Sequence, residues 1–174
     1  MIKTMNLISK YVPLTIMESG RYKLHFGLKP YYEIDEYGNT KETNIGIWYE
    51  TWLSNKPTIE QIKEIVINTI NKDVDDKILS GFVWKDMPVW LSTENQFNYK
   101  AAYDLAVMSQ GKSLPVLFKF GTTENPIYHT FETLEDISDF YLSAMAYISK
   151  TLEDGWVMKD SIDWSEYEEA LKKL

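Results

Sequence analysis

A chain of 174 residues with 44% hydrophobic content can bury a core, which excludes a globally disordered chain and suits one domain, or one domain with a small appendage. Its net charge of -8 argues against non-specific nucleic-acid binding, because phosphate contacts need clustered Lys and Arg. With no cysteine, disulfides, thiolate metal sites and cysteine nucleophiles are all excluded.

Lys3 and Lys10 interrupt the first residues, so no signal peptide is expected there. No apolar run approaches the roughly 18 residues of a membrane helix. Residues 11–16 lean towards a strand, with Pro13 best suited to a sheet edge. Gly20 marks a turn, and residues 22–26 and 31–35 read as strands. A turn at 36–39 leads to a returning strand over 43–53, which completes an antiparallel meander. The break at Asn55-Lys56-Pro57-Thr58 divides the chain into a β-rich part, 1–55, and a second part, 56–174. Thr58 and Gln61 form a capping-box pattern, and Ile59, Ile62, Val66 and Ile70 give the following helix an apolar stripe. Residues 71–77 read as a polar connector.

From there the order is strand, turn, strand, helix, given twice. Residues 81–84 and 88–91 form the first hairpin around 85–87. Thr93 with Gln96 predicts a capped helix whose Phe97, Ala101, Leu105 and Met108 share one face, and Gly111 ends it. Residues 114–120 and 127–131 are the second hairpin, around turn chemistry at 121–126. Thr133 caps the next helix, with Glu135 and Asp136 in its first turn. Leu134, Ile137, Tyr141, Ala144, Ile148 and Leu152 form its stripe, Gly155 its stop, and 156–158 a short extended piece. Ser165 caps a last helix over 166–174. The fold class expected is α+β: an N-terminal antiparallel β-meander, a linking helix, then a ββαββα module with helices packed on one antiparallel sheet. Phe97, Leu105, Ile137, Tyr141 and Ile148 are the expected core.

Chemistry-bearing motifs are weak. Asp73, Asp75 and Asp76 have the look of a calcium loop, but the sixth and twelfth positions hold Ile78 and Trp84 where glycine and glutamate are needed. His25 and His129 lie in predicted strands with no Gly-x-Ser-x-Gly pattern to complete a triad. Asp154, Asp160, Asp163, Glu166, Glu168 and Glu169 make a solvated acidic end without the form of a glycosidase site. No phosphate-binding glycine loop occurs. No catalytic, metal-binding or cofactor-binding residue is therefore expected, and no cofactor. The aromatic group Tyr31, Tyr32, Tyr37, Trp48, Tyr49 and Trp52 stands out. On alternating strands some of these rings face away from a single core, where they can stack on sugars or dock a protein. Tyr31, Tyr32, Trp48, Tyr49 and Trp52 are the candidate interaction surface.

The pair Gly81-Phe82, the helix start Ser92, Gln96 and Asn98, the strand opening Leu114-Pro115-Val116 and the run 131–137 resemble a domain of unknown function common in bacteriophage and prophage tail genes. The resemblance spans residues 76–164 and departs from the family in lacking a glycine in the first hairpin turn. It implies a non-enzymatic structural or interaction protein, associated with phage tail fibres or their assembly, in the cytoplasm of a bacterial host or on the virion. The partner expected is a protein, either a tail component or a second copy of this chain, with no nucleic acid and no membrane. A carbohydrate-binding module built on the aromatic meander is the alternative, and a small hydrolase comes last.

Overall fold

A computed structural model describes residues 2–174 and has the expected α+β class. It divides into two compact units, Met1–Thr69 with Ser161–Leu174, and Ile70–Asp160. The expected boundary lies between 55 and 56, whereas these compact units divide between Thr69 and Ile70. Helix α1 (Ile59–Ser80) runs unbroken from the first unit into the second. Residues 71–77 are helical because Ile70, Val74 and Ile78 continue the inward stripe while Lys72 and Asp76 pair across one turn at 2.6 Å. The capping box at its start is complete: Gln61 N–H donates to Thr58 Oγ1 at 3.3 Å, and Thr58 N–H to Gln61 Oε1 at 2.9 Å.

The first unit carries an antiparallel sheet of β1 (Ile2–Leu7), β2 (Leu14–Ile16), β3 (Tyr22–Ile34) and β4 (Thr40–Leu53), in the order β1-β4-β3-β2. The meander is β2-β3-β4, and β1 crosses to the far side to pair with β4. The two strands expected at 22–26 and 31–35 are one. Register shifts at Phe26/Lys29 and Pro30/Tyr32 accommodate the irregular middle, where Gly27 sits at φ +68. At the hairpin tip the Asp35 carboxylate accepts from the N–H groups of Tyr37 and Asn39 at 2.9 and 2.8 Å. Leu14, Leu24, Phe26 and Trp48 are buried. Helix α4 (Trp164–Lys173) is capped by Asp163 instead of Ser165, because the Asp163 carboxylate reaches the Ser165 N–H. Its Tyr167 hydroxyl donates to the His25 carbonyl at 3.1 Å.

In the second unit, β5 (Phe82–Trp84) and β6 (Met87–Val89) form the first hairpin, followed by α2 (Thr93–Met108). Strands β7 (Val116–Gly121) and β8 (Pro126–Phe131) form the second, followed by α3 (Leu134–Asp160). The expected single sheet is two separate two-stranded ribbons. Strands of three residues, with Pro88 in β6, offer too short an edge for a further ladder. Aromatic packing joins the ribbons instead: the Trp84 ring lies 5.5 Å from Phe131 and 5.2 Å from Phe140.

Several expectations about the helices are corrected here. The face of α2 that turns inward carries Tyr99, Ala102 and Ala106, so Phe97 and Leu105 are exposed. Tyr99 fits edge-on between Phe118 at 4.9 Å and Phe140 at 5.0 Å, a slot its flat ring fills. Ile137 is buried, and Tyr141 and Ile148 pack half-buried against the core, as expected for α3. The helix does not stop at Gly155, and 156–158 are helical. Its cap is Ser92 for α2, one residue before the expected Thr93, while Thr133 caps α3 as expected.

Candidate functional site

His129 is the centre of the polar cluster in the second unit. It stands on the half-buried face of β8, and its Nε2 lies 2.8 Å from Asp136 Oδ2 in the first turn of α3. The other carboxylate oxygen accepts from Lys85 Nζ at 2.7 Å. Burial works against ionisation of Asp136, but hydrogen bonds from Lys85 and His129 overcome it and hold the carboxyl below its usual range. Trp84 donates its indole N–H to Asp139 Oδ2 at 2.9 Å and meets the His129 ring edge-on at 5.1 Å. An open cleft of about 510 Å³ runs past this cluster, lined by Lys85, Thr130, Glu132, Thr133, Glu135, Asp136 and Asp139. Chemically, a His–Asp pair can hold or move a proton. Here it ties β8 and the β5–β6 turn to the start of α3. Sequence reasoning recognised Asp136 only as a first-turn acid. Its partners Lys85 and His129 come from two hairpins whose docking no local pattern records.

His25 is the centre of a second cluster, in the first unit. It is buried, with Nδ1 2.8 Å from the Val12 carbonyl and Nε2 3.1 Å from Glu50 Oε2. Glu50 also pairs with Lys23 Nζ at 3.2 Å. The rings of Tyr11 and Trp48 close around the imidazole. Burial raises the pKa of the Tyr11 and Tyr167 phenols beside it. Among the described residues no group of three or more His, Asp or Glu is arranged to hold a metal ion. Asp73, Asp75 and Asp76 lie on α1 and not in a loop.

The five aromatics proposed as an interaction surface do not come together on one face. Trp48 is buried, so it presents no contact area, and its indole N–H finds no partner among the described residues. Tyr49 is half-buried and stacks on Phe26 at 5.1 Å, and Tyr31 is half-buried. Tyr32 is exposed. Trp52 is partly exposed, but Lys23 Nζ lies over its ring at 4.4 Å and the Arg21 guanidinium at 5.2 Å.

The apolar surface that does form a continuous strip lies on α2. Phe97, Leu105 and Met108 are 73%, 56% and 82% exposed. With Ala101 they recur at helical spacing along about 16 Å of one helix face. Lys100 and Asp104, paired at 2.6 Å, flank the strip. The same periodicity that the sequence offered as a core stripe is therefore an outward one.

A family model described as Domain of unknown function (DUF4376) matches residues 61–172. The chain belongs to the DUF4376 family. No curated protein and no solved structure matches. The DUF4376 segment contains the α2 strip and the His129 cluster, and it excludes the five meander aromatics. It also accounts for the Gly-Phe and Ser-x-x-x-Gln residues in physical terms. A Cβ on Gly81 would fall on the Tyr147 hydroxyl and the Lys77 carbonyl, which are themselves hydrogen-bonded at 2.9 Å. Gly81 thus leaves room for the Tyr147 hydroxyl to add a second bond to a carbonyl in the last turn of α1 that already accepts from the Gly81 N–H at 2.8 Å. Phe82 is core. Ser92 accepts from the Asn95 N–H to cap α2, and the Gln96 amide reaches back to the Leu91 carbonyl at 2.7 Å. These are folding roles. Asn98 is exposed.

Among the described residues no helix is long and apolar enough to cross a membrane.

Proposed function

We propose that this DUF4376 protein is a non-catalytic interaction protein of a phage or prophage tail, which docks another tail protein through the exposed face of α2. The carrying observation is the strip of Phe97, Leu105 and Met108. Single exposed apolar residues are ordinary, but a contiguous strip rimmed by charge marks an interaction site. A helix face of this spacing fits an apolar groove on a partner, read by anchors three and four residues apart. The tail context comes from the resemblance of the Gly-Phe and Ser-x-x-x-Gln-x-Asn residues to tail-gene proteins. Such a protein works in the host cytoplasm during assembly or on the virion.

The non-catalytic part of the reading is supported by how the two histidines are used. His25 is buried with both ring nitrogens engaged, and the His129 Nε2 and both Asp136 oxygens serve as ties between elements. A carbohydrate platform on the meander is the weaker reading, because Trp48 is core and Trp52 is covered by cations. The test is co-expression with each of the proteins encoded by the neighbouring genes. The proposal expects co-purification that Phe97→Ser with Met108→Ser reduces at least tenfold while circular dichroism is unchanged. Undiminished co-purification with the double variant would reject the α2 face, and no association of the native chain would reject the tail partner.

A further inference from the structure

His25 fastens three parts of the first unit to one another. Its backbone N–H donates to the Pro13 carbonyl at 2.9 Å, and its carbonyl accepts from the Tyr167 hydroxyl of α4 at 3.1 Å. Its buried ring lies between the Val12 carbonyl, 2.8 Å from Nδ1, and the Glu50 carboxyl group of β4, 3.1 Å from Nε2. The Val12 oxygen can only accept. The two Glu50 oxygens face the imidazole and the Lys23 ammonium, the latter at 3.2 Å, so neither is placed to carry a hydrogen of its own. The ring therefore meets an acceptor at each nitrogen. A neutral imidazole has one N–H and one lone pair, so it can satisfy one of these acceptors and must turn its lone pair on the other. Only the doubly protonated ring satisfies both.

We infer that His25 is held as the imidazolium and works as a pH-sensitive latch, whose two ring N–H groups fasten the 11–13 segment to β4 and which opens at Val12 when one proton leaves. The bond to the carboxylate is charge-assisted, so the N–H that remains stays with Glu50. Nδ1 then presents a lone pair to the Val12 oxygen, and the segment loses that tie. Residues 13–16 cover the edge of β3 from Tyr22 to His25, so an open latch loosens the cover of that edge. Other charges around the ring are few. Lys23 comes from β3, Glu50 from β4, the Tyr11 phenol from the 11–13 segment and the Tyr167 phenol from α4, with Glu166 acting on both phenols. Strand β2, Leu-Thr-Ile, brings no charged group. Burial pushes both phenols above their ordinary value, so they stay neutral at pH 9. The folded chain holds two acceptors for the imidazolium and the unfolded chain holds none, so the tie is present at low pH and is lost as pH rises. The latch is separate from the α2 face and does not depend on its role.

Two measurements test the latch. The chain has two histidines, so nitrogen-15 spectra of the imidazoles are simple, and His129→Gln assigns the pair. At pH 7 both ring nitrogens of His25 should carry hydrogen. One bare nitrogen at that pH overturns the inference, and this measurement on the native chain needs no change at His25 or Glu50. The second measurement is hydrogen exchange of segment 11–16 at pH 6 and pH 9, corrected for the intrinsic rate and referred to α3. Opening should rise at least fivefold at pH 9 with an unchanged circular dichroism spectrum. Glu50→Gln separates the latch from any general alkaline effect. A glutamine amide can donate to Nε2, so a neutral His25 keeps its Nδ1–H on Val12 and the segment stays closed at both pH values. Lys23 is present in both chains and cancels from the comparison. An equal pH response in the native chain and the variant overturns the latch, and so does a native chain with no response.

Discussion

Gly155 faces Val74 where the second half of α1 meets α3: a Cβ at position 155 would lie 2.5 Å from Val74 Cγ2. That approach explains why a glycine sits buried inside a helix it does not terminate. Valine in a helix holds essentially one χ1 rotamer, so it cannot swing aside. Gly155→Ala should therefore destabilise the protein by about 1–2 kcal/mol, the overpacking cost less the propensity gained. Thermal or urea unfolding reads this out. Adding Val74→Ala should recover part of the loss, and independent, additive effects of the two changes would show that the contact does not matter.

The inward face of α2 gives a second expectation. Phe140 is fully buried among Tyr99, Phe120 and Phe131, and Phe140→Ala should cost about 3–5 kcal/mol. Phe97→Ala should fall within about 0.5 kcal/mol of the native chain, because its side chain is already in water. Comparable losses from the two would mean that α2 is rotated in solution.

The β5–β6 turn holds two non-glycine residues in the left-handed region, Lys85 at φ 46 and Asp86 at φ 63. A two-residue turn of this kind favours glycine at its second position. Asp86→Gly should stabilise the protein by up to about 1 kcal/mol, the left-handed penalty relieved less the entropy of glycine. Lys85 is the worse choice for the same change, since it would also lose its bond to Asp136.

Asp136 sets an acid-side dependence. Its folded pKa is lowered, so its contribution is present above its unfolded value of about 3.9 and is lost as pH falls below that. The pairs with Lys85 and His129 are partly exposed, which limits each to about 0.2–1 kcal/mol. Unfolding measured at pH 7 and pH 3 should show Asp136→Asn closing part of the gap between them. An identical pH dependence in the variant would remove Asp136 from the account.

Alkaline stability rests on buried phenols. Burial pushes the Tyr99 hydroxyl up to about 12. A raised folded value means that the contribution is complete below the unfolded value of about 10 and is lost as pH rises towards 12, about 2–3 kcal/mol for this group. Tyr11 and Tyr167 are raised in the same direction. Ultraviolet titration should show late-ionising tyrosines whose ionisation coincides with loss of helix, and Tyr99→Phe should delay that loss.

Most of the local structure was legible in the chain itself. The Thr58–Gln61 capping box, the Thr133 cap, the left-handed Gly111 and the alternating strand 116–120 all depend on residues within a few positions of one another, and each forms as the pattern dictates. The chemistry of these residues and their short-range geometry leave one outcome.

What only the tertiary structure decided concerns partners far apart in sequence. The stripe Phe97, Ala101, Leu105 and Met108 and the stripe Tyr99, Ala102 and Ala106 are both apolar enough to be buried. Which one faces inward depends on the slot between Phe118 and Phe140, and periodicity carries no information about that slot. Gly155 read as a helix stop because glycine commonly is one; its actual reason is Val74, on another helix. Likewise β1 skips its neighbour to pair with β4, and His129 finds Asp136 and Lys85 only after two hairpins and a helix have docked. Hydrophobic burial is non-directional, so sequence specifies that an element has an apolar face before it specifies what that face meets.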